Sequence, residues 1–350
     1  MIYLGSIAVF AVSAAVSFTI TPWMRRAGVR FGFLDVPHPQ DIHTRPTPRI
    51  GGLAMFAAFL LGLGVALAVP VERNDAQELF KLLGLAAGAL VVVSFGLADD
   101  RWGLHPSIQL VGQLVGAAVA TSLGIVIQVL RNPLGATSID LAAWLGVALS
   151  LFWMVGMMNT VNWLDGLDGL AAGVAAITGL ILFVHTFTLG QYSMALFPLA
   201  LAGCALGFLP HNFHPADIFM GSSGSYFLGF ALAALSIMGG AKLATALFVM
   251  AVPILDVAWQ IADRLRQGRS PFRGTRDHLH HRLYDLGLSQ RQVVFIYYAL
   301  SACFGILALV LPTPLEKLYV LIGLGTVVLA ILLALSLMDG SKGRQEENND

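Results

Sequence analysis

The chain has 350 residues, of which 57% are hydrophobic and 11% are charged, and its formal net charge is zero. Soluble proteins carry about a quarter charged residues, so this composition excludes an ordinary soluble domain and indicates an integral membrane protein. The two cysteines lie inside apolar runs, which suggests neither a disulfide framework nor a metal site. No nucleic-acid partner is expected.

Apolar segments long enough to cross a lipid bilayer recur along the chain. They fall at about residues 2–22, 50–69, 82–98, 107–125, 141–159, 170–189, 192–210, 225–240, 242–262, 293–312 and 316–337. We therefore predict an all-α integral membrane protein with about eleven transmembrane helices. A membrane domain, 1–338, precedes a polar tail, 339–350, whose composition predicts disorder. The first segment lacks a basic n-region and an obvious cleavage site, so an uncleaved helix is expected rather than a signal peptide.

The basic residues are divided unevenly between the two sets of loops. Alternate numbering of the loops places fifteen Lys and Arg residues on one side and five on the other. The positive-inside rule assigns the richer side to the cytoplasm, which puts the N-terminus outside and the C-terminus inside. The polar motifs lie at helix ends on that same side. We therefore predict an active site on the cytoplasmic face of the membrane.

The first polar motif, GLADDRWGL at residues 96–104, places Asp99 and Asp100 at the end of the third helix. Two adjacent carboxylates repel each other, so one has a raised pKa or a cation lies between them. The structural alternative is a simple helix end at the headgroup layer, stabilised by Arg101 and Trp102. Acidic residues at a helix C-terminus oppose the helix dipole, which makes a purely structural role less favourable.

The second motif, NTVNWLDGLDGLAAG at residues 159–173, repeats a polar residue every three positions, at Asn159, Asn162, Asp165 and Asp168. On a helix or a 3₁₀ turn these side chains form one polar stripe. Such a stripe suits a hard cation or the hydroxyls and amides of a nucleotide. The structural alternative is a turn that caps the next helix.

The third motif, at residues 272–292, is basic and contains Arg273, Arg276, His278, His280, His281 and Arg282. Clusters of this kind bind phosphate. A zinc site is one alternative, although no cysteine accompanies the histidines, and an anchor for anionic lipid is another.

Two further features leave alternatives open. The Pro-rich segment 35–52 predicts an extended loop, in which Arg45 and Arg49 either contact phosphate or belong to an ordered basic loop. Asp256, inside a late apolar segment, is either a functional residue or the partner of a basic residue such as Arg264.

Together these motifs resemble the bacterial polyprenyl-phosphate N-acetylhexosamine-1-phosphate transferases, over about residues 35–292. The resemblance lies in the order ADD, NxxNxxDGxDG, HPADIFMG…GS and HLHHRL. DHLHHRLYDLGLS is similar to the N-acetylglucosamine-1-phosphate branch, which begins teichoic acid, O-antigen and related glycans. The runner-up is the phospho-N-acetylmuramoyl-pentapeptide transferase branch. A membrane transporter is the alternative of another class, but no repeated halves are visible.

The resemblance implies transfer of N-acetylglucosamine (GlcNAc) 1-phosphate from UDP-GlcNAc to undecaprenyl phosphate in the bacterial cytoplasmic membrane, with release of UMP. It also implies dependence on Mg²⁺, with Mn²⁺ as the alternative ion, and a homodimer for which the sequence has no signature. The implied catalytic residues are Asp99, Asp100 and His280, with the choice of base between the two aspartates left open. The implied substrate-binding residues are Asn159, Asn162, Asp165, Asp168, His278, His281, Arg282, Arg45 and Arg49. The implied metal ligands are Asn162, Asp165, Asp100 and the residue at position 222.

One position departs from the family's pattern. Family members read Ile-Phe-Met/Leu-Gly-Asp-x-Gly-Ser before the next helix, and that aspartate is a principal Mg²⁺ ligand. This chain has Ser222 in the aspartate's place, within IFMGSSGS. A neutral hydroxyl is a poor substitute for a carboxylate on a hard dication, and the nearby Asp217 is not expected to replace it. We therefore expect the transferase fold and pocket, with weak Mg²⁺ binding and little or no turnover.

Overall fold

The computed structural model describes residues 1–37, 45–132, 135, 137–238, 242–268 and 278–347. The described part of the chain contains thirteen helices, α1 (Ile2–Phe31), α2 (Gly51–Ala68), α3 (Glu78–Trp102), α4 (Pro106–Ser122), α5 (Ala143–Leu164), α6 (Leu170–Thr188), α7 (Tyr192–Asn212), α8 (Gly221–Ile237), α9 (Leu243–Val249), α10 (Ala251–Arg266), α11 (Leu279–Asp285), α12 (Gln290–Val310) and α13 (Pro314–Glu347). Two antiparallel strand pairs join β1 (Leu34–Asp35) to β2 (Thr47–Pro48) and β3 (Val129–Arg131) to β4 (Ser138–Asp140).

The all-α membrane architecture predicted from hydropathy is confirmed. Each predicted apolar segment coincides with a helix, and the segment 242–262 coincides with the pair α9 and α10, which are bent by 79° relative to each other. Among the described helices, eight are long and apolar enough to cross a membrane, or nine if the bent pair forms one span. The number of eleven spans and their orientation therefore stay predictions.

The last helix extends further than its composition suggests. Its backbone is helical to Glu347 and so includes most of the polar tail, for which disorder was expected. Adding a residue to an existing helix forms one hydrogen bond for each residue that is fixed, whereas only nucleation is strongly unfavourable. A polar segment that directly follows an apolar helix can therefore continue it.

Helix α8 lies at the centre of the bundle, where it packs against α2, α3 and α5. Every one of its residues from Gly221 to Ile237 is buried. Glycines allow this close packing, because a Cβ on Gly96 of α3 would lie 2.5 Å from Ser223 Cα and a Cβ on Gly52 of α2 would lie 2.7 Å from the Ser223 carbonyl carbon. The first turn of α8 is thereby held beside the last turn of α3, where the polar motifs meet.

Candidate active site

Asp100 links the end of α3 to the beginning of α8. Its Oδ1 accepts a hydrogen bond from the backbone N–H of Ser222 (2.7 Å). Its Oδ2 accepts hydrogen bonds from the backbone N–H (3.0 Å) and the hydroxyl (2.7 Å) of Ser223. The first N–H groups of a helix lack partners within the helix and carry the positive end of its dipole, so this carboxylate caps α8 from outside. Gly221 has a φ of 70°, and a Cβ there would lie 2.5 Å from Asp100 Oδ2.

Arg49 provides a positive charge beside this buried carboxylate. Its Nε lies 3.3 Å from Asp100 Oδ1, and one of its terminal nitrogens lies 3.7 Å from Asp35 Oδ1. The β1–β2 pair places Arg49 and Asp35 next to each other. Arg45 is exposed, and among the described contacts none joins its guanidinium to the carboxylates. The structure therefore brings together Asp100 and Arg49 but leaves Arg45 apart.

Asp99 is held by a second set of donors. Its Oδ1 accepts hydrogen bonds from the Leu104 backbone N–H and from Gln109 Nε2, both at 2.8 Å. Its Oδ2 accepts a hydrogen bond from the Ser222 hydroxyl at 2.5 Å. Gln109 in turn accepts a hydrogen bond from the Tyr226 hydroxyl (2.9 Å). Sequence analysis missed Gln109 and Tyr226, although a glutamine inside an apolar helix was a usable signal.

The four polar residues of the second motif have different roles: some join neighbouring helices, and others lie beside Asp99 and Asp100. Asn159 Nδ2 donates to Gln113 Oε1 (2.7 Å), which joins α5 to α4. Asn162 Oδ1 accepts a hydrogen bond from the Ser225 hydroxyl (2.8 Å) on α8. Asp165 follows the end of α5, and its removal from water raises the pKa of its carboxyl well above the usual range, with further contributions from the negative charges of Asp168 and Asp100. Asn162 and Asp165 thus accompany the Asp99–Asp100 pair.

Asp168 holds the loop that leads into α8. Its Oδ2 lies 2.8 Å from His214 Nδ1 and accepts a hydrogen bond from the Ala216 backbone N–H (3.1 Å). The neighbouring Gly169 N–H donates to Asn212 Oδ1 (3.2 Å) in the same loop region. These bonds connect the DGLDG turn to the chain segment that positions Ser222.

Asp256 fixes the beginning of α11, which carries the histidine motif. Its Oδ2 lies 2.9 Å from His278 Nδ1, and its Oδ1 accepts a hydrogen bond from the Leu279 backbone N–H (3.0 Å). Both side chains of the Asp256–His278 pair are buried. A carboxylate on one imidazole nitrogen orients the ring and leaves the other nitrogen for a different partner. Asp256 therefore pairs with His278 and positions it, and a functional role for Asp256 stays a prediction.

His280 and His281 pack directly on the DGLDG turn. A Cβ on Gly166 would overlap His280 Nε2 and would lie 2.9 Å from His281 Nε2. The His280 side chain is buried, and its two ring nitrogens have no hydrogen-bond partner among the described residues. Burial lowers the pKa of His280 well below the usual range, and the nearby His281 and His278 lower it further.

His280 is therefore a neutral imidazole near pH 7, with one donor and one acceptor, in a motif whose composition suggested positive charge. Arg282 lies on the same short helix, α11. Arg273 and Arg276, the other cations predicted for this motif, lie outside the described residues.

The oxygen atoms around Ser222 do not form a ready magnesium site. Within the part of the chain that the structure describes, no three His, Cys, Asp or Glu side chains are arranged to hold a metal ion. Ser222 contributes a hydroxyl that donates to Asp99, and donors from α8 already engage both oxygens of Asp100. Asn162 and Asp165 supply a single carboxylate between them.

The fold and this site define a helical membrane enzyme whose carboxylates, histidines and arginines meet at one end of the bundle. Residues 82–240 match the family described as glycosyl transferase family 4. The chain is 37% identical over 313 residues to the decaprenyl-phosphate N-acetylglucosaminephosphotransferase of Mycolicibacterium smegmatis, which covers 82% of this chain and 77% of the relative. It is 32% identical over 308 residues to the probable undecaprenyl-phosphate N-acetylglucosaminyl 1-phosphate transferase of Bacillus subtilis, covering 86% and 84%.

A phospho-N-acetylmuramoyl-pentapeptide-transferase of Geobacillus kaustophilus is 32% identical over 321 residues, covering 85% of this chain and 96% of the relative. The chain therefore belongs to the polyprenyl-phosphate N-acetylhexosamine-1-phosphate transferase superfamily, which is a family of membrane phosphotransferases. The resemblance inferred from the motifs, including that to the N-acetylglucosamine-1-phosphate branch, is confirmed.

Proposed function

We propose that this chain carries the site that transfers GlcNAc 1-phosphate from UDP-GlcNAc to undecaprenyl phosphate, at the cytoplasmic face of the bacterial membrane, as the first membrane step of a cell-envelope glycan. A phosphate oxygen of the lipid forms a bond to the sugar-bearing β-phosphorus of the donor. The bond from that phosphorus to the bridging oxygen breaks, and UMP leaves. The observation that carries the proposal is that Asp100 and Asn162 both bond to the first residues of α8, while His280 and His281 pack on Gly166 in the turn that follows Asn162.

The arrangement suits two anionic substrates that repel each other. Catalysis of phosphoryl transfer depends mainly on positioning and on fixed charges and dipoles aimed at the phosphates. In the proposal, His278, His281 and Arg282 bind the diphosphate, and the neutral His280 donates a hydrogen bond to it. Asp256 is a positioning residue, because it orients His278.

The lipid phosphate is assigned to the Asp99–Asp100 end of the site, near Arg49. Each oxygen of Asp100 accepts two hydrogen bonds, from α8 and Arg49. Asp99 Oδ1 also accepts two, but Asp99 Oδ2 accepts only the one from Ser222 among the described residues. Of the two carboxylates, Asp99 is thus the better acceptor for a proton of the lipid phosphate. Asn162 and Asp165 are assigned to the nucleotide side, with Asp168 holding the adjoining loop.

Ser222 is proposed to limit the activity of the chain. The reaction is expected to use Mg²⁺, which would neutralise charge on the diphosphate when bound. The Ser222 hydroxyl lies 2.5 Å from Asp99 Oδ2, so an aspartate at this position would set two carboxylates side by side. Such a pair of oxygen ligands is what a hard dication requires.

The test is an assay of UMP release by the purified chain with undecaprenyl phosphate and a panel of UDP-sugars, with and without Mg²⁺. At low Mg²⁺, Ser222→Asp is expected to release UMP at least about 10- to 100-fold faster than the unaltered chain. This factor is the loss seen when residues that merely support metal ligands are removed. Ser222→Asn is the matched control, because it has a similar size without the charge. Mg²⁺ should also raise the melting temperature of Ser222→Asp but not that of Ser222→Asn.

The outcomes separate the parts of the proposal. Equal rates for Ser222→Asp and the unaltered chain at low Mg²⁺ would show that Ser222 is not limiting. Preference for a UDP-N-acetylmuramoyl-pentapeptide donor would move the chain to the runner-up branch. Absence of UMP release from every donor, with uptake of substrate into vesicles, would favour a transporter.

A further inference from the structure

One face of α12 lies against the candidate site and carries three side chains that have no role in the proposed reaction. Arg291, Phe295 and Tyr298 are spaced four and three residues apart, so they lie on the same side of the helix and form the α12 face. Four residues, 286–289, separate this helix from α11, which carries the histidines. The helix is therefore joined directly to one side of the site, and the α12 face contacts the other side.

Tyr298 is bonded to the DGLDG turn. Its hydroxyl donates a hydrogen bond to the Gly169 carbonyl oxygen at 2.6 Å. Its ring covers Gly173, near the start of α6, where a Cβ would overlap the ring. Gly169 has a φ of 79°, a left-handed conformation that favours glycine. The tyrosine therefore fixes the carbonyl group of the residue that directly follows Asp168.

Arg291 is bonded to the loop that leads into α8. Its Nε and one of its terminal nitrogens donate to the His214 carbonyl oxygen, at 3.3 Å and 2.9 Å. Four residues further along the α12 face, the Phe295 ring lies 5.9 Å from the ring of Phe213, which precedes His214. Polar and aromatic contacts thus attach the beginning of α12 to the beginning of this loop.

Three segments of the chain are therefore bonded to one another in pairs. Tyr298 joins α12 to the DGLDG turn, and Arg291 joins α12 to the loop before α8. The turn and the loop are joined by Asp168 and His214, whose Oδ2 and Nδ1 lie 2.8 Å apart. Because each segment is bonded to both of the others, neither the turn nor the loop can shift without breaking one of these contacts.

The same helix also contacts the histidine motif. The His280 ring lies 6.4 Å from the Tyr297 ring at an interplanar angle of 77°, and both side chains are buried. Ser289 begins the helix with a capping box, in which it accepts a hydrogen bond from the Gln292 N–H and donates its own N–H to Gln292 Oε1. The adjacent residues Tyr297 and Tyr298 therefore contact the two sides of the site that are assigned to the donor.

We propose that Arg291 and Tyr298 are positioning residues for the nucleotide-sugar site, because they hold the DGLDG turn and the loop before α8 at a fixed spacing from the histidines of α11. The inference rests on the proposed function, in which the turn lies on the nucleotide side and the histidines bind the diphosphate. Binding groups must be held within about 0.5 Å of their productive geometry by the residues that support them.

The lipid side of the site provides an internal comparison. Asp100 is fixed separately, by the first residues of α8. Loss of Arg291 or Tyr298 should therefore weaken binding of the nucleotide sugar, while undecaprenyl phosphate, which is assigned to the Asp99–Asp100 end, should bind as before.

The test measures the affinity of the full-length chain in detergent for UDP-GlcNAc and, separately, for undecaprenyl phosphate. Tyr298→Phe removes only the hydroxyl and Arg291→Gln removes the charge, whereas Arg291→Lys keeps a charged donor for the His214 carbonyl. Tyr319→Phe is the matched control, because Tyr319 is exposed on α13. Amide hydrogen exchange of residues 165–169 and 213–217 is followed in the same proteins.

We expect Tyr298→Phe and Arg291→Gln each to weaken UDP-GlcNAc binding by about 2- to 10-fold, as for the loss of one hydrogen bond, and to leave undecaprenyl phosphate binding unchanged. Arg291→Lys should recover part of the loss, and Tyr319→Phe should bind both ligands as the unaltered chain does. Exchange of residues 165–169 should be faster in Tyr298→Phe, because the turn opens more readily.

The inference is overturned if Tyr298→Phe binds UDP-GlcNAc as tightly as Tyr319→Phe does. It is also overturned if binding of both substrates weakens equally, since that result indicates a general loss of stability. The proposed function fails separately, if the unaltered chain binds no UDP-sugar. Hydrogen exchange then decides: faster exchange of residues 165–169 in Tyr298→Phe supports the positioning of the turn, and unchanged exchange overturns it.

Discussion

At the scale of single residues, Asp100 shows how a carboxylate at the end of one helix can stabilise another. It is buried, yet it accepts hydrogen bonds from the backbone of Ser222 and from both the backbone and the hydroxyl of Ser223, and it lies beside Arg49. The dipole of α3 disfavours a negative charge at this position, but the dipole of α8 favours it. The motif therefore has a structural role, in capping α8, beside the chemical role proposed for it.

We predict that Asp100→Ala lowers the free energy of unfolding by about 1–3 kcal/mol, because buried N–H groups of α8 lose their acceptor. Thermal unfolding in detergent would measure the loss. Asp140→Ala is the control, since Asp140 is exposed on β4. An equal effect of the two substitutions would refute the capping role.

His280 predicts a dependence of stability on pH. Burial lowers its pKa in the folded chain, so the unfolded chain binds the proton more readily. The contribution of His280 to stability is then complete above the ordinary histidine pKa, about 6.5, and is lost as the pH falls below it, by up to about 1.4 kcal/mol for each pH unit.

The His280 contribution can be measured by thermal unfolding between pH 7.5 and pH 5.5. We expect His280→Asn to lose less stability than wild type over this range. His105→Asn is the control, because His105 is exposed and asparagine can replace it as the cap of α4. If His280→Asn and wild type show the same pH dependence, His280 is not the neutral buried group inferred here.

At the scale of elements, the site depends on close contact between helices at positions where the residues are small. Gly52 and Gly64 belong to the same helix, α2, but only Gly52 faces α8. A Cβ on Gly52 would overlap the backbone of Gly224, whereas a Cβ on Gly64 meets no atom within 4 Å.

We therefore predict that Gly52→Ala destabilises the protein by about 1–3 kcal/mol, the usual range for overpacking. Gly64→Ala should instead be neutral or stabilising by up to about 1 kcal/mol, because alanine favours helix. Thermal unfolding of both variants measures the difference. Similar melting temperatures would mean that α2 and α8 do not pack as closely as described.

At the scale of the whole molecule, the number of spans determines where the two ends lie. An odd number, such as the eleven predicted from hydropathy, places the ends on opposite sides of the membrane, whereas an even number places them on the same side. Fifteen of the 20 Lys and Arg residues lie on the side predicted to be cytoplasmic.

We predict that a fluorescent reporter that folds only in the cytoplasm is active when fused to the C-terminus and inactive when fused to the N-terminus. An alkaline phosphatase reporter, which is active only outside the cytoplasm, should give the reverse pattern. Activity of the same reporter at both ends would contradict the odd number of spans.

The sequence by itself determined the membrane class, the approximate positions of the long apolar helices, the family and the serine at position 222. Hydropathy and short motifs are local properties, so they can be read without knowing how the chain folds. Only the tertiary structure decided what the polar residues contact. Asp100 and Ser222 are 122 residues apart, and Asp168 and His214 are 46 residues apart.

Such pairs depend on which helices pack together, and in a membrane protein every candidate helix is similarly apolar. The sequence spacing therefore predicted one stripe of Asn159, Asn162, Asp165 and Asp168. In the structure, Asn159 instead bonds to Gln113, and Asp168 bonds to the loop before α8. The same packing buried His280 and removed its charge, because an imidazole held away from water and beside two others does not retain a proton.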